Sequence, residues 1–356
     1  MSSLDGTPGT PSATPGRDPA VGESTALMVR QTMADDAWWR CVSSWFLVVA
    51  MLVGLFAPVL ANDVPLVAKV DGVWSFPAFA DLVGEPPVGP HDLSWKQWWA
   101  RLPADGPDFA WMPPWPYGPD EVDPARDRLG PCLAHPFGND DTGRDMLARV
   151  VHGAAVLVEL VLPAVLLGMV VGTLLGAWAG YRRGIVEVLV QRAIELFLCF
   201  PTLLFLMFVA AFLGDGGIWL VLVMAAMFWT SFARIVRGAV LSLRERDYVL
   251  VARSLGVPEW RILTHHLLPQ VTSQVGVTAA FCAAAAVVAE STLSFLGIGA
   301  RGSLASWGAM LRQGNQQVVL GHWHVWFFPA AAIVVVVMAC HVQAERLRRR
   351  ASAAGV

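Results

Sequence analysis

Charge is scarce in this chain. Only 15% of its 356 residues are Asp, Glu, Lys or Arg, against 55% hydrophobic, and the mean hydropathy is +0.53. A soluble globular chain carries about a quarter charged residues, so much of this surface must be solvated by lipid. The net charge of −3 argues against a nucleic-acid partner. No GxxxxGK[ST] run occurs, which excludes ATP binding through a phosphate loop of the chain's own. GxSxG and HExxH are absent too. The five cysteines, Cys41, Cys132, Cys199, Cys282 and Cys340, form no spaced cluster, and four of them lie in or beside apolar runs. Neither a disulfide framework nor a cysteine-based metal site is implied, and no cofactor is expected.

What is present is a series of apolar runs. Residues 1–36, rich in Gly, Pro, Ser, Thr and Asp, read as a disordered tail rather than a signal peptide, because the first apolar run starts too late. Cys41 to Ala61 is 21 residues without a charge, enough to cross a hydrocarbon core of about 30 Å. Trp38, Trp39 and Arg40 before it suit an interfacial anchor. Five further spans are expected at Ala154–Ala179, Ile194–Leu213, Ile218–Phe232, Leu267–Ala289 and Trp323–Cys340, with Pro201 inside the third. Gly168, Gly172 and Gly176 put small residues on one face of the second span, where another helix can approach. The expected fold is therefore an all-α membrane protein of six transmembrane helices: a first span within 37–61, a five-span core over 154–342 and a basic tail over 343–356.

Between the first two spans lies the one long polar region, Asn62 to His152, with 14 acidic residues, seven basic ones and six Trp. Its regular-structure signal is poor. WMPPWPYGPD (111–120) reads as extended and turn-forming, and VWSFP and WKQWW offer aromatic anchors. A mostly irregular cap packed on the membrane domain is expected over 62–153, with an acidic ligand-binding surface as the functional alternative. At its end, Asp140, Asp141 and Thr142 stand before a helical pattern and carry helix-start chemistry.

The chain is organised around Arg234 to Gln270, an Arg-rich island between the fourth and fifth spans with six Arg and no Lys. Asp247 can cap a helix start, since its carboxylate can accept from free backbone N–H groups. Tyr248 to Leu255 has no helix breaker. Gly256 is the natural left-handed stop, Pro258 suits a second helical first turn, and Pro269 limits that second helix. The island reads as helix–Gly–helix at a membrane surface. A basic loop that only fixes topology and a docking knob for a soluble partner both fit.

Ala252, Gly256, Leu268 and Pro269 keep the spacing of the EAA loop of ABC-transporter permeases, which fits a cleft on the ATP-hydrolysing subunit. Leu250, Val251 and His266 depart from that pattern. HPFGNDDTGRD (135–145), with Gly138, Asp140, Gly143, Arg144 and Asp145, resembles the HPFGTDxxGRD segment of dipeptide, oligopeptide and nickel permeases (the DppC/OppC type). AESTLSFLGIG (289–299) and Ser306–Trp307–Gly308 resemble that family's next motifs, and ANDVPLVAKVDGVWSFPAF (61–79) and WMPPWPYGPDEVD (111–123) resemble the extracytoplasmic insertion of its YejE-type subunit. The resemblance covers nearly all of 41–340. It implies an importer permease subunit carrying peptides or peptide-like compounds. The partners it implies are ABC ATPase subunits, a second permease and an extracytoplasmic substrate-binding protein. Asp247, Tyr248, Ala252, Arg253, Gly256, Pro258, Leu268 and Pro269 would form the ATPase-coupling loop.

Basic residues give an independent topology. With six spans, 16 of the 25 Lys and Arg fall on the side of the termini and the island, mostly in short segments. That side reads as cytoplasmic, and the resemblance implies a bacterial inner membrane. Carboxylates in spans are costly, so Glu159, Glu195 and Glu290 are candidates to line a pathway, with helix-end pairing as the plain alternative. His322 and His324, two apart, do not share a helical face and make a poor metal pair. A secondary transporter or channel using the buried Glu as proton sites is the main alternative function, and a membrane-embedded enzyme ranks below it.

Overall fold

The computed structural model describes residues 43–79, 90, 93–102, 108–213, 217–299 and 305–353. The expected tail over 1–36 and the Trp38–Arg40 anchor lie outside them.

The described residues open with α1 (Ser43–Leu55), a break at Phe56 and a short α2 (Ala57–Leu60) with Pro58 in its first turn. The polar region follows. Expected to be mostly irregular, it holds an antiparallel three-stranded sheet of order β2-β1-β3: β1 (Val67–Val70), β2 (Val73–Ser75) and β3 (Phe109–Trp111). Asp71 and Gly72, with φ of 50° and 81°, form the two-residue β1–β2 turn. Positive φ at both central residues is what a type I′ hairpin requires. The WKQWW anchor is helical, in α3 (Trp95–Arg101), where Ser94 and Gln97 make a reciprocal capping box. Trp95 and Trp98 are buried with Val64, Ala68 and Ala78 in a small core of their own.

The membrane part begins at α4 (Met146–Gly153), which runs through a π segment (Leu157–Val161) into α5 (Leu162–Arg182). Next come α6 (Ile185–Leu198), α7 (Thr202–Leu213) and α8 (Gly217–Leu243). After α9 (Asp247–Ser254), α10 (Glu259–Arg261) and a second π segment (Ile262–Leu267) lead into α11 (Leu268–Leu296). The last elements are α12 (Trp307–Val319) and α13 (His324–Ala353).

Among the described residues, four continuous helices are long and apolar enough to cross a membrane: Met146–Arg182, Gly217–Leu243, Glu259–Leu296 and His324–Ser352. α6 and α7 qualify only together and are bent by 83°. The expected third span is thus broken at Pro201 rather than merely containing it. Proline removes a backbone donor and clashes with the preceding turn, and here the helix turns a corner. α1 is apolar but shorter than a span. The expected basic tail from 343 is not separate, because α13 continues through it to Ala353.

The core forms where α5 and α8 pack. Gly168, Gly172 and Gly176 face Ala225 to Ala233, so close that a β-carbon at Gly172 would fall on the Trp229 carbonyl. Both π segments sit two residues before a proline, Pro163 or Pro269. A widened turn is one way a helix accommodates the missing proline N–H without stopping.

Candidate coupling site

The island does not begin as a surface loop. α8 carries Arg234 and Arg237 on its own continuation to Leu243, and only from Arg244 does the chain leave it. Asp247 is not the cap that the sequence suggests. Arg246 holds the extended cap conformation (φ −73°, ψ 145°), and Asp247 is the first helical residue with no side-chain cap bond. Its carboxylate still lies at the positive end of α9, where it is favourable.

The stop of α9 is built as a Schellman motif. Gly256 takes φ +74°. Its N–H donates to the Arg253 carbonyl at 3.0 Å, and the Val257 N–H donates to the Ala252 carbonyl at 3.1 Å. These two bonds satisfy carbonyls that the helix end would leave free. Pro258 caps the next short helix from outside it, in extended conformation, with Glu259 in the first turn. Pro269 does not limit that helix. Leu268 before it stays helical (φ −57°, ψ −41°), and one continuous helix runs from Glu259 to Leu296. The π segment is where proline's usual veto on a helical predecessor is overcome.

One face of this elbow is anchored. Val249, Ile262 and Leu267 are buried with Ala177 and Tyr181 of α5, Val236 and Val240 of α8, and Val271 of α11. The turn after α5 adds polar ties. Arg244 donates to the Tyr181 carbonyl at 2.6 Å, Arg182 pairs with Glu259 at 3.2 Å and Arg183 with Glu245 at 2.7 Å. The Arg253 guanidinium lies 5.3 Å from the Tyr181 ring centre. The readable signal for these ties was Glu245 and Glu259, two carboxylates inside the Arg-rich island. The other face is open and apolar: Tyr248, Leu250, Val251, Leu255 and Trp260 are exposed, Leu255 at 77%. The unpaired apolar face, not the arginines alone, is what this site presents.

The segment 135–149 builds a second constellation. Asp140 is buried and takes five bonds. Its Oδ1 accepts from the Thr142 N–H and hydroxyl and from the Arg144 N–H, and its Oδ2 accepts from Arg144 Nε at 2.7 Å and Arg149 at 2.6 Å. Burial pushes this carboxyl up, but Arg149, Arg144 and the Thr142 bonds outweigh it and hold it below its ordinary value. Asp140 therefore ties a turn, while the cap of α4 is Asp145, which accepts from the Ala148 N–H at 2.7 Å. The helix-start residues expected at 140–142 stand one turn too early. Asp145 also accepts from the Trp115 indole at 3.0 Å and lies 2.6 Å from His135 Nδ1. Arg126 lies 3.2 Å from His135 Nε2. A guanidinium only donates, so Nε2 accepts and Nδ1 carries the proton toward Asp145. Gly138 and Gly143 have φ of +74° and +81°, and a β-carbon at either would strike backbone of Leu129 or Asp123. α12 docks on this knot, with Gln313 accepting from Arg144 at 3.2 Å and the Trp307 indole donating to the Val150 carbonyl at 3.0 Å.

The three candidate pathway carboxylates are not brought into one cluster. Glu195 pairs with Arg192 at 2.6 Å. Glu290 is 3% exposed and accepts from the Ser294 hydroxyl at 2.6 Å. Glu159 is exposed on the first π segment. His324 is buried, 3.1 Å from the Asn139 carbonyl, so it locks α13 to the 135–149 knot. No group of three metal-ligating side chains occurs among the described residues.

Residues 172–352 match the family described as the binding-protein-dependent transport system inner membrane component. The chain is 36% identical over 224 residues to the glutathione transport system permease protein GsiD of Pectobacterium atrosepticum, covering 62% of this chain and 74% of that protein. It is 34% identical over 220 residues to the dipeptide transport system permease protein DppC of Bacillus subtilis, covering 62% and 69%. The DppC of Alkalihalophilus pseudofirmus is 33% identical over 228 residues, covering 64% and 75%. The matched region contains the elbow, its anchors on α8 and α11, and α12 and α13. The chain belongs to the family of binding-protein-dependent transport system inner membrane components, the permease subunits of ABC transporters.

Proposed function

We propose that this permease subunit passes peptides or peptide-like compounds inward across a bacterial inner membrane, and that the 247–269 elbow receives the stroke of a partner ATPase. The cargo class follows the names of its relatives, which transport dipeptides and glutathione. In this reading α1 with α2 is the first of six spans, and the bent pair α6–α7 is the third. Both termini and the elbow face the cytoplasm, where most of the basic residues fall. A soluble substrate-binding protein delivers cargo to the opposite face, and a second, similar permease completes the pathway. Glu159, exposed at membrane depth, is best placed of the three carboxylates to meet that pathway, because lipid would tolerate it poorly.

The observation that carries the coupling role is the two-sidedness of α9. Val249 fixes it to the ends of three membrane helices while Leu250, Val251 and Leu255 stay open. A push on the open face moves α5, α8 and α11 together, because the packed cluster deforms little. The test is uptake in vesicles holding the full set of subunits. ATP-dependent uptake that survives an uncoupler supports the proposal. Uptake that survives ATP depletion and collapses with the uncoupler contradicts it and favours a secondary transporter.

A further inference from the structure

The small sheet has one buried face and one bare aromatic face. Residues directly opposite in neighbouring strands point to the same side. Ala68, opposite Ser75 and Ala110, points to the side where Trp95 and Trp98 are buried. Lys69 lies opposite both Trp74 and Phe109, and Val67 lies opposite Trp111, so these five share the other side. There Trp74 is 59% exposed, Phe109 51% and Trp111 63%. The Lys69 ammonium lies 5.7 Å from the Trp74 ring centre, and it is the one charged strand residue on this face.

We propose that this face is an interfacial anchor that sits in the lipid headgroup layer beside the end of the first membrane helix. Two observations favour lipid over a soluble protein. The first is continuity. The sheet grows directly from the apolar helix: the Trp115 N–H donates to the Leu60 carbonyl at 3.1 Å, the Asn62 N–H to the Trp115 carbonyl at 3.2 Å and the Leu66 N–H to the Trp111 carbonyl at 2.9 Å. Ala61 to Val67 spans at most about 20 Å at ~3.3 Å per residue, so Val67 and Trp111 opposite it stay within about that distance of the helix end. The helix itself presents an exposed apolar stripe of Trp45, Val48, Leu52 and Leu55. The second is chemistry. Two indoles and a phenyl ring with one lysine, and no carboxylate among the described strand residues of this face, match a zone of ester dipoles and phosphates, where amphipathic rings and cations are favoured. The inference rests on the reading that α1 enters the bilayer.

The experiment places a benzophenone amino acid at Trp74, Phe109 or Trp111 of the full chain, in vesicles of phosphatidylethanolamine and phosphatidylglycerol. Exposed Asp127 serves as the solvent control and Val48 as the membrane control. After illumination, a mass increase of one phospholipid is expected at the three sheet positions and at Val48, with none above background at Asp127. Crosslinks from the sheet positions only to other parts of the chain or to an added substrate-binding protein, or no lipid adduct there, overturn the inference whatever Val48 shows. A lipid adduct at Val48 in that case leaves the span reading standing, and its absence removes both.

Discussion

His135 Nδ1 and Asp145 Oδ2 lie 2.6 Å apart with both side chains at most 3% exposed. Asp145 is at once the cap of α4, the acceptor of the Trp115 indole and the partner of the His135 imidazole. Replacing Asp145 with Ala leaves the buried His135 donor and the half-buried Trp115 indole unpaired and removes the cap. The expected cost is about 3 kcal/mol or more. It is read as a lowered unfolding midpoint in detergent. A midpoint equal to that of the native chain contradicts the structural role given to this segment.

Asp140 gives a pH signature. Its folded carboxyl is held below the ordinary 3.8, so the unfolded chain takes up the proton first as pH falls. The stabilisation is complete above about pH 4 and is lost as pH drops through the lower folded value. The gap in unfolding midpoint between the native chain and Asp140→Asn should stay constant from neutral pH to about 4, then close. A gap that closes near neutral pH contradicts this assignment.

The α5–α8 contact should tolerate no bulk. Gly172→Val places a side chain on the Trp229 carbonyl and the Phe232 side chain. Overpacking of this kind costs about 1–3 kcal/mol. A folded yield and unfolding midpoint unchanged by the substitution would show that the two helices separate freely, against the rigid transmission proposed.

The two faces of α9 should separate stability from coupling. Val249→Ala removes buried contacts and should cost about 1–2 kcal/mol. Leu255→Glu changes an exposed residue and should move stability by less than about 0.5 kcal/mol, while lowering ATP-driven uptake several-fold. Normal uptake in the stable Leu255→Glu variant argues that the open face meets no partner.

Much of this was legible, and the misses have physical causes. Gly256 could be read as a stop because a left-handed residue is needed after an unbroken helical run and few side chains adopt it. Gly168, Gly172 and Gly176 marked by spacing alone a face of α5 that another helix can approach, and the structure shows α8 there. Asp247 misled because a capping side chain marks a helix start only to within a residue, and Arg246 took the extended position instead. The Asp71–Gly72 hairpin was readable and went unread, since Asp-Gly between alternating residues is a strong turn signal. The π segments have no local signature beyond a proline two residues on, so Pro269 looked like an end. The ties of Arg182 to Glu259 and His324 to Asn139 join residues far apart in the chain, and no periodicity announces them.

The central claim is that the elbow transmits work, and Gly256 is where it can be broken with least disturbance. No β-carbon clash occurs there, but proline cannot take φ +74° and has no N–H for the Arg253 carbonyl. The decisive measurement is ATP-driven uptake by vesicles containing all subunits with Gly256→Pro in this chain, alongside its unfolding midpoint. The account predicts a folded permease whose uptake is abolished while the partner ATPase still turns over. Undiminished uptake by a well-folded Gly256→Pro variant contradicts it.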